Sequence, residues 1–196
     1  MKEIQAAVLT KLNEPLEIKK LNSRKLLAGQ VLVKIAYSGI CRSQLMEIEG
    51  HRGRDKWLPH LLGHEGSGVV EKIGEGVKTV NIGDHVVLHW RRSSGIQSNT
   101  AKYKWNDKIV NAGWVTTFNE KAIISENRLT VIPKEADLKT AALYGCAITS
   151  GFGAVNNDAN VQIGQSVLIF GLGGMGLSIA YASSLVSAYP IVGIDI

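Results

Sequence analysis

From Ala159 to Ile194 the chain carries no charged side chain, a run long enough for a membrane-spanning helix, so very few structures can accommodate it. Gly171, Gly173, Gly174 and Gly176 lie in its middle and Pro190 near its end, and these break the run into separate elements. "SVLIF" reads as a strand, "GLGGMGLSIAYASSLVSA" as a turn opening a helix, and "PIVGID" as a second strand. Strands of a parallel sheet covered on both faces are uncharged because neither face meets water. The segment is therefore read as one strand–helix–strand unit, with no membrane span expected.

Gly171, Gly173 and Gly176 form G-x-G-x-x-G between that strand and that helix, and Asp195 ends the second strand. In this context the pattern predicts a dinucleotide site. Gly171 permits the tight turn, Gly173 lets the backbone approach a pyrophosphate at the helix N-terminus, and Gly176 lets helix and strand pack closely. Gly174 and Met175 complete the turn. Asp195 would accept hydrogen bonds from ribose hydroxyls and repel a 2′-phosphate, so NAD is expected rather than NADP.

Upstream the pattern is different. "IQAAVLT", "QVLVKIAYSG", "GSGVVEKIG" and "DHVVLHW" are rich in β-branched residues and separated by glycine turns, which predicts a β-rich, barrel-like domain. "CRSQLMEIEG" interrupts it with a short helix, Leu45 and Ile48 sharing a face. Residues 91–112 are polar and aperiodic and read as a long surface excursion. Asp137 can cap a helix through "LKTAALYG", and another helical stretch runs from Ser150 to Asn156. The expected fold is mixed: a β-rich domain over 1–150, then the start of an α/β domain over 151–196.

The net charge of +5 is scattered, so a nucleic-acid surface is not expected. Two cysteines 105 residues apart, without a secretory leader, argue for reduced thiols in the cytoplasm. Taken singly, Cys41, His64 and Cys146 are as well explained as core residues. Taken together, two cysteines and a histidine with an open fourth position match a catalytic zinc arrangement. No C-x2-C pair exists, which excludes a closed structural site built from cysteines.

"GICRSQ", "GHEGSGVVEKIGEGV", "GDHVV", "ENRLTVIPKEADLKTAALYGCAITSGFGAV" and "GQSVLIFGLGGMGLSIA" followed by "VGIDI" resemble, in order and spacing, the zinc-dependent medium-chain alcohol dehydrogenases. The resemblance implies a GroES-like catalytic domain followed by a Rossmann domain, a catalytic zinc, and NAD(H)-linked interconversion of small alcohols with aldehydes or ketones. Position by position, Cys41, His64 and Cys146 match the zinc ligands and Glu65 the acidic neighbour behind the metal. Arg42 matches a cofactor-phosphate contact, Ser43 the hydroxyl that takes the alcohol proton, and Ser150 a position near the nicotinamide. Trp90 falls where the family lines its substrate pocket and is equally well read as a core aromatic.

Three departures stand out. Gln44 replaces the family's usual aspartate beside the ligand histidine, an amide expected to accept from the His64 N–H without adding charge. Met46 replaces the histidine that in some members ends the proton relay. Residues 91–112 lack the cysteines of the second zinc lobe, so one zinc per chain and no structural zinc are expected. The chain ends after the second strand of a cofactor domain that normally has about six. It is accordingly read as the N-terminal part of an enzyme, a homo-oligomer when full length. Two other readings stay open: a zinc-free quinone or enone reductase of the same superfamily, and a non-catalytic binding protein built on the fold.

Overall fold

A computed structural model describes residues 3–196, which divide into two compact units, 3–145 and 146–196. Among the described residues the first contains ten strands: β1 (Glu3–Leu9), β2 (Glu17–Asn22), β3 (Gln30–Ser38), β4 (His60–Leu61), β5 (Glu65–Ile73), β6 (His85–His89), β7 (Lys102–Trp105), β8 (Lys108–Asn111), β9 (Lys121–Ser125) and β10 (Leu129–Ile132). Two short helices, α1 (Arg42–Ile48) and α2 (Leu138–Ala142), accompany them. The second unit holds α3 (Ala147–Gly153), β11 (Val167–Phe170), α4 (Gly174–Leu185) and β12 (Ile191–Ile194).

In the first unit β1, β2, β7, β8 and β4 close into a barrel, and β10, β6, β5, β3 and β9 form a second, five-stranded sheet. Strand β1 alternates, turning Ile4, Ala6 and Val8 into the barrel core with Leu21, Tyr103 and Val110. Strand β3 is buried on both sides: Leu32 joins the barrel core, while Val31 and Val33 join the core of the other sheet with Val86, Leu88 and Ile124. This explains why "QVLV" is a continuous apolar run. One strand serves two cores, and no polar face is needed.

The expected surface excursion at 91–112 is corrected by β7 and β8, which are barrel strands paired from Lys102↔Asn111 to Trp105↔Lys108. Asn106 turns the hairpin in the left-handed region at φ 50°. Lysines outside and Tyr103 and Val110 inside hid the alternation, since four-residue strands carry little period. Tyr103 is fully buried, its hydroxyl accepts from the Ile123 N–H at 3.0 Å, and burial pushes its phenol up to about 12.

Residues 91–101 do remain irregular, and a buried carboxylate pins them. Glu126 accepts from the N–H groups of Lys78 (2.8 Å), Thr79 (2.9 Å) and Ile96 (2.8 Å) and from the Thr79 hydroxyl. Burial would raise its pKa, but these hydrogen bonds outweigh burial and hold the carboxyl below its ordinary value.

In the second unit β11 and β12 pair in parallel, from Val167↔Ile191 to Phe170↔Ile194, with α4 as the crossover. Helix α3 packs on α4, Phe152 meeting Tyr181 edge to face at 5.8 Å. The helix expected from Ser150 begins earlier, at Ala147, and passes into a π-helical turn over Ala154–Asp158. Among the described residues no helix is long and apolar enough to cross a membrane.

Candidate metal centre and cofactor turn

Cys41 stands at the N-cap of α1, directly after the last turn of β3. The helix is short and carries no acidic residue in its first turn, so its cap matters. Gln44 supplies it, the side-chain Oε1 accepting from the Cys41 N–H at 3.1 Å. The short helix expected from the spacing of Leu45 and Ile48 is present, but Leu45 is exposed and Gln44 is the buried residue of the helix. A polar side chain takes the inward position because two hydrogen-bonding partners wait there.

The second partner is His64. The Gln44 amide nitrogen hydrogen-bonds His64 Nδ1, and Ser43 Oγ lies 3.5 Å from the same atom. The expected direction is therefore reversed: with Oε1 committed to Cys41, the amide presents its nitrogen, which can only donate. Burial, with a smaller repulsion from Arg52, holds His64 below the usual imidazole range. Neutral imidazole is the form that ligates metals. Cys41 and His64 offer donor atoms within 4.8 Å of each other.

Glu65, the first residue of β5, is buried and organises the backbone around this pair. Its carbonyl accepts from the Gly39 N–H at 3.1 Å, and a β-carbon at Gly39 would lie 2.5 Å from its Oε1. On the other side, a β-carbon at Gly145 would stand 2.8 Å from Glu65 Cα and 2.4 Å from the Leu88 carbonyl oxygen. Only glycines allow both segments to close on the "GHE" strand. The segment leading to Cys41 and the segment ending at Gly145 are thus held against one residue, and Cys146 is the next residue in the chain. Both cysteines are thiols.

Other predicted positions fall as follows. Arg42 is exposed at the start of α1. Trp90 follows β6, is 47% exposed, and has the Arg91 guanidinium 5.7 Å from its ring. A cavity of about 450 Å³ opens beside Gln44 and His64 and is lined by Glu47, His60, Trp57 and Trp114 among others, not by Trp90. No pattern in the sequence pointed to these four, since their separation along the chain has no period or motif.

In the second unit Cys146 is the N-cap of α3, its carbonyl accepting from the Ser150 N–H at 2.9 Å. Gly171 has φ 88°, and a β-carbon at Gly176 would stand 1.9 Å from the Gly171 carbonyl oxygen. The turn and the close packing assigned to these two glycines are thus both present. Gly173 and Gly174 face open space instead, and Met175 is half exposed at the start of α4. Asp195 accepts from the Leu172 N–H at 2.5 Å and from the Ile196 N–H at 2.7 Å, which hold its carboxyl below its ordinary value. It therefore braces the glycine turn, a role the sequence did not reveal.

Residues 27–134 match the family model of the alcohol dehydrogenase GroES-like domain. The chain is 32% identical over 97% of its length to the S-(hydroxymethyl)glutathione dehydrogenase of Synechocystis sp. and 33% identical to the alcohol dehydrogenase class-3 of Dictyostelium discoideum, again over 97%. It spans 58% and 57% of those two relatives. Its fold matches an alcohol dehydrogenase zinc-binding domain protein from Burkholderia ambifaria with a TM-score of 0.90, and benzyl alcohol dehydrogenase from Acinetobacter calcoaceticus with 0.86. Both structures are 29% identical, and each match covers 100% of this chain and 59% of the other. The barrel, the five-stranded sheet whose β3 sends Leu32 into the barrel core, and the family match over more than half the chain place this protein in the alcohol dehydrogenase GroES-like domain family.

Proposed function

We propose that this chain is the catalytic and cofactor-entry part of a zinc- and NAD(H)-dependent oxidoreductase that interconverts a small alcohol with its aldehyde or ketone. The observation that carries the reading is the grip of Gly39 and Gly145 on Glu65, the residue after His64, by two segments that lead in sequence to Cys41 and to Cys146. The donor set fits the metal: two thiols and a neutral imidazole suit zinc and leave a position for substrate. Cys41, His64 and Cys146 would hold the ion. When bound, zinc supplies the Lewis acidity that favours alkoxide over alcohol.

The chain's own groups do the rest. Ser43, beside His64 on the first turn of α1, takes the alcohol proton and passes it outward. Glu65 contributes a buried carboxylate behind the donors. The cofactor turn fits a dinucleotide: open space at Gly173 and Gly174 leaves room for phosphate at the N-terminus of α4, and Arg42 adds a cation for the same group. NAD held there would supply the hydride acceptor. Asp195 receives the ribose hydroxyls, Ser150 and Met175 flank the cofactor, and Trp90 borders the substrate.

The decisive experiment measures zinc content and NAD reduction with a panel of alcohols, on the protein carrying this chain and on its Cys41→Ala variant. Zinc and turnover are both expected to fall to background in the variant. Absence of zinc from the parent, or turnover untouched by the substitution, overturns the proposal.

A further inference from the structure

Away from the two cysteines, a second group of metal-type donors meets at the edge of the cavity. Glu47 on α1, Asp55 on the loop that follows, and His60 on β4 bring one donor atom each within 4.8 Å of one another. His60 Nε2 lies 2.7 Å from Asp55 Oδ2 and 3.8 Å from Glu47 Oε1. The side chains are withdrawn from solvent, His60 at 8%, Asp55 at 11% and Glu47 at 28% exposed.

Each donor is oriented by a partner on its far side. His60 Nδ1 donates to the Leu61 carbonyl at 3.0 Å, which turns Nε2 toward the two carboxylates. Asp55 Oδ1 accepts from the Trp57 N–H at 2.8 Å, which turns Oδ2 inward. Glu47 Oε2 pairs with Arg52 at 3.6 Å, which turns Oε1 inward. Two carboxylate oxygens therefore converge on Nε2, Asp55 Oδ2 within hydrogen-bond distance and Glu47 Oε1 just beyond it, and their charge is met by a proton on the ring or by a cation in its place. Outer partners that fix the donor atoms in this way are the usual companions of metal ligands.

From this convergence we infer that Glu47, Asp55 and His60 form a divalent-cation site, separate from Cys41, His64 and Cys146. One imidazole and two carboxylates suit a first-row ion of the zinc, cobalt or manganese kind, and lack the soft sulfur of the other site. Three protein donors leave a coordination position free for water. Because Glu47 and His60 also line the cavity that reaches Gln44 and His64, that position faces the same space. The ion would also tie α1 to β4 across the intervening loop.

Cobalt titration separates the two sites, because Co²⁺ on thiolate gives a strong near-ultraviolet charge-transfer band and Co²⁺ on nitrogen and oxygen gives only weak visible bands. Metal bound per chain is counted in parallel after gel filtration. The unaltered protein should take up Co²⁺ in a phase without charge transfer, and His60→Gln and Asp55→Asn should each abolish that phase while leaving the thiolate band intact. Cys41→Ser should do the reverse. Glu47→Gln, at a more exposed position, should weaken the phase at least tenfold and guards against misfolding of the other two. Uptake without charge transfer that survives all three substitutions, or its absence from the unaltered protein, overturns the inference and leaves a proton on His60 as the bridging charge. Absence of the thiolate band from the unaltered protein, with the other phase present, would instead count against the proposed function.

Discussion

The Gln44 side chain faces two ways, its oxygen capping the Cys41 N–H and its nitrogen donating to His64 Nδ1. With Nδ1 accepting, the proton of the neutral ring sits on Nε2, the nitrogen left for a metal. Ligation requires that proton to leave and Nδ1 to become a donor, so the amide must turn over and Cys41 loses its cap acceptor. Helix capping and metal affinity are therefore in competition through one side chain.

Gln44→Glu removes the competition, since one carboxylate oxygen can accept from Cys41 and the other from His64 Nδ1. Zinc affinity, measured by competition with a chromophoric chelator, is expected to rise about tenfold or more, the usual scale of such outer partners. An affinity unchanged by the substitution would show that the amide turns over at no cost.

Gly145 has no room for a side chain, the Leu88 carbonyl oxygen being 2.4 Å from the site of a β-carbon. Gly145→Ala should cost about 1–3 kcal/mol in urea unfolding, because backbone atoms must shift. It should also shed zinc more readily than the parent, by displacing the peptide that leads to Cys146.

Glu126→Gln keeps the shape but aims a donor amide at a nest of N–H groups. A loss of about 2–3 kcal/mol is expected. In the parent the depressed carboxyl contributes stability that is present above its unfolded pKa of about 4.3 and disappears as pH falls through its lower folded value. The variant's acid unfolding curve should lack this component.

His89 is buried, donates from Nδ1 to the Arg91 carbonyl at 2.8 Å, and has Thr130 Oγ1 2.9 Å from Nε2. Burial holds its pKa down, the backbone hydrogen bonds from this ring oppose that, and nearby Arg128 and Arg91 add to it. The unfolded state therefore binds more protons, so stability is full above about pH 6.5 and declines as pH falls toward the folded value. His89→Gln should flatten the stability profile below about pH 6.5, followed by urea midpoints. An equally steep profile would reject His89 as its source.

Asp195→Ala removes both the charge that would repel a 2′-phosphate and the brace on the glycine turn. Fluorescence titration is expected to show NAD binding weakened and the preference over NADP lost. Weaker binding of both cofactors with preference retained would reduce Asp195 to its bracing role.

Much of this protein was legible without coordinates because its signals are local. Gly171 and Gly176 sit within one turn, so their spacing alone announces a strand, a turn and a helix. "QVLV" announces a buried strand because both of its faces are apolar. The barrel hairpin over Lys102–Asn111 was missed, since four residues with exposed lysines carry too weak an alternation to distinguish from a loop.

What the sequence determined by itself was the family, the donor residue types and the glycine turn, all of which depend on residue identity and short spacing. The tertiary structure alone decided which atoms face each other. It turned the Gln44 nitrogen toward His64, buried Glu126 between the Lys78–Thr79 segment and Ile96, and assembled Glu47, Asp55 and His60 at the cavity. These are relations between residues on different elements, and the direction of a hydrogen bond depends on which atom a neighbour has already claimed. No linear pattern records that choice.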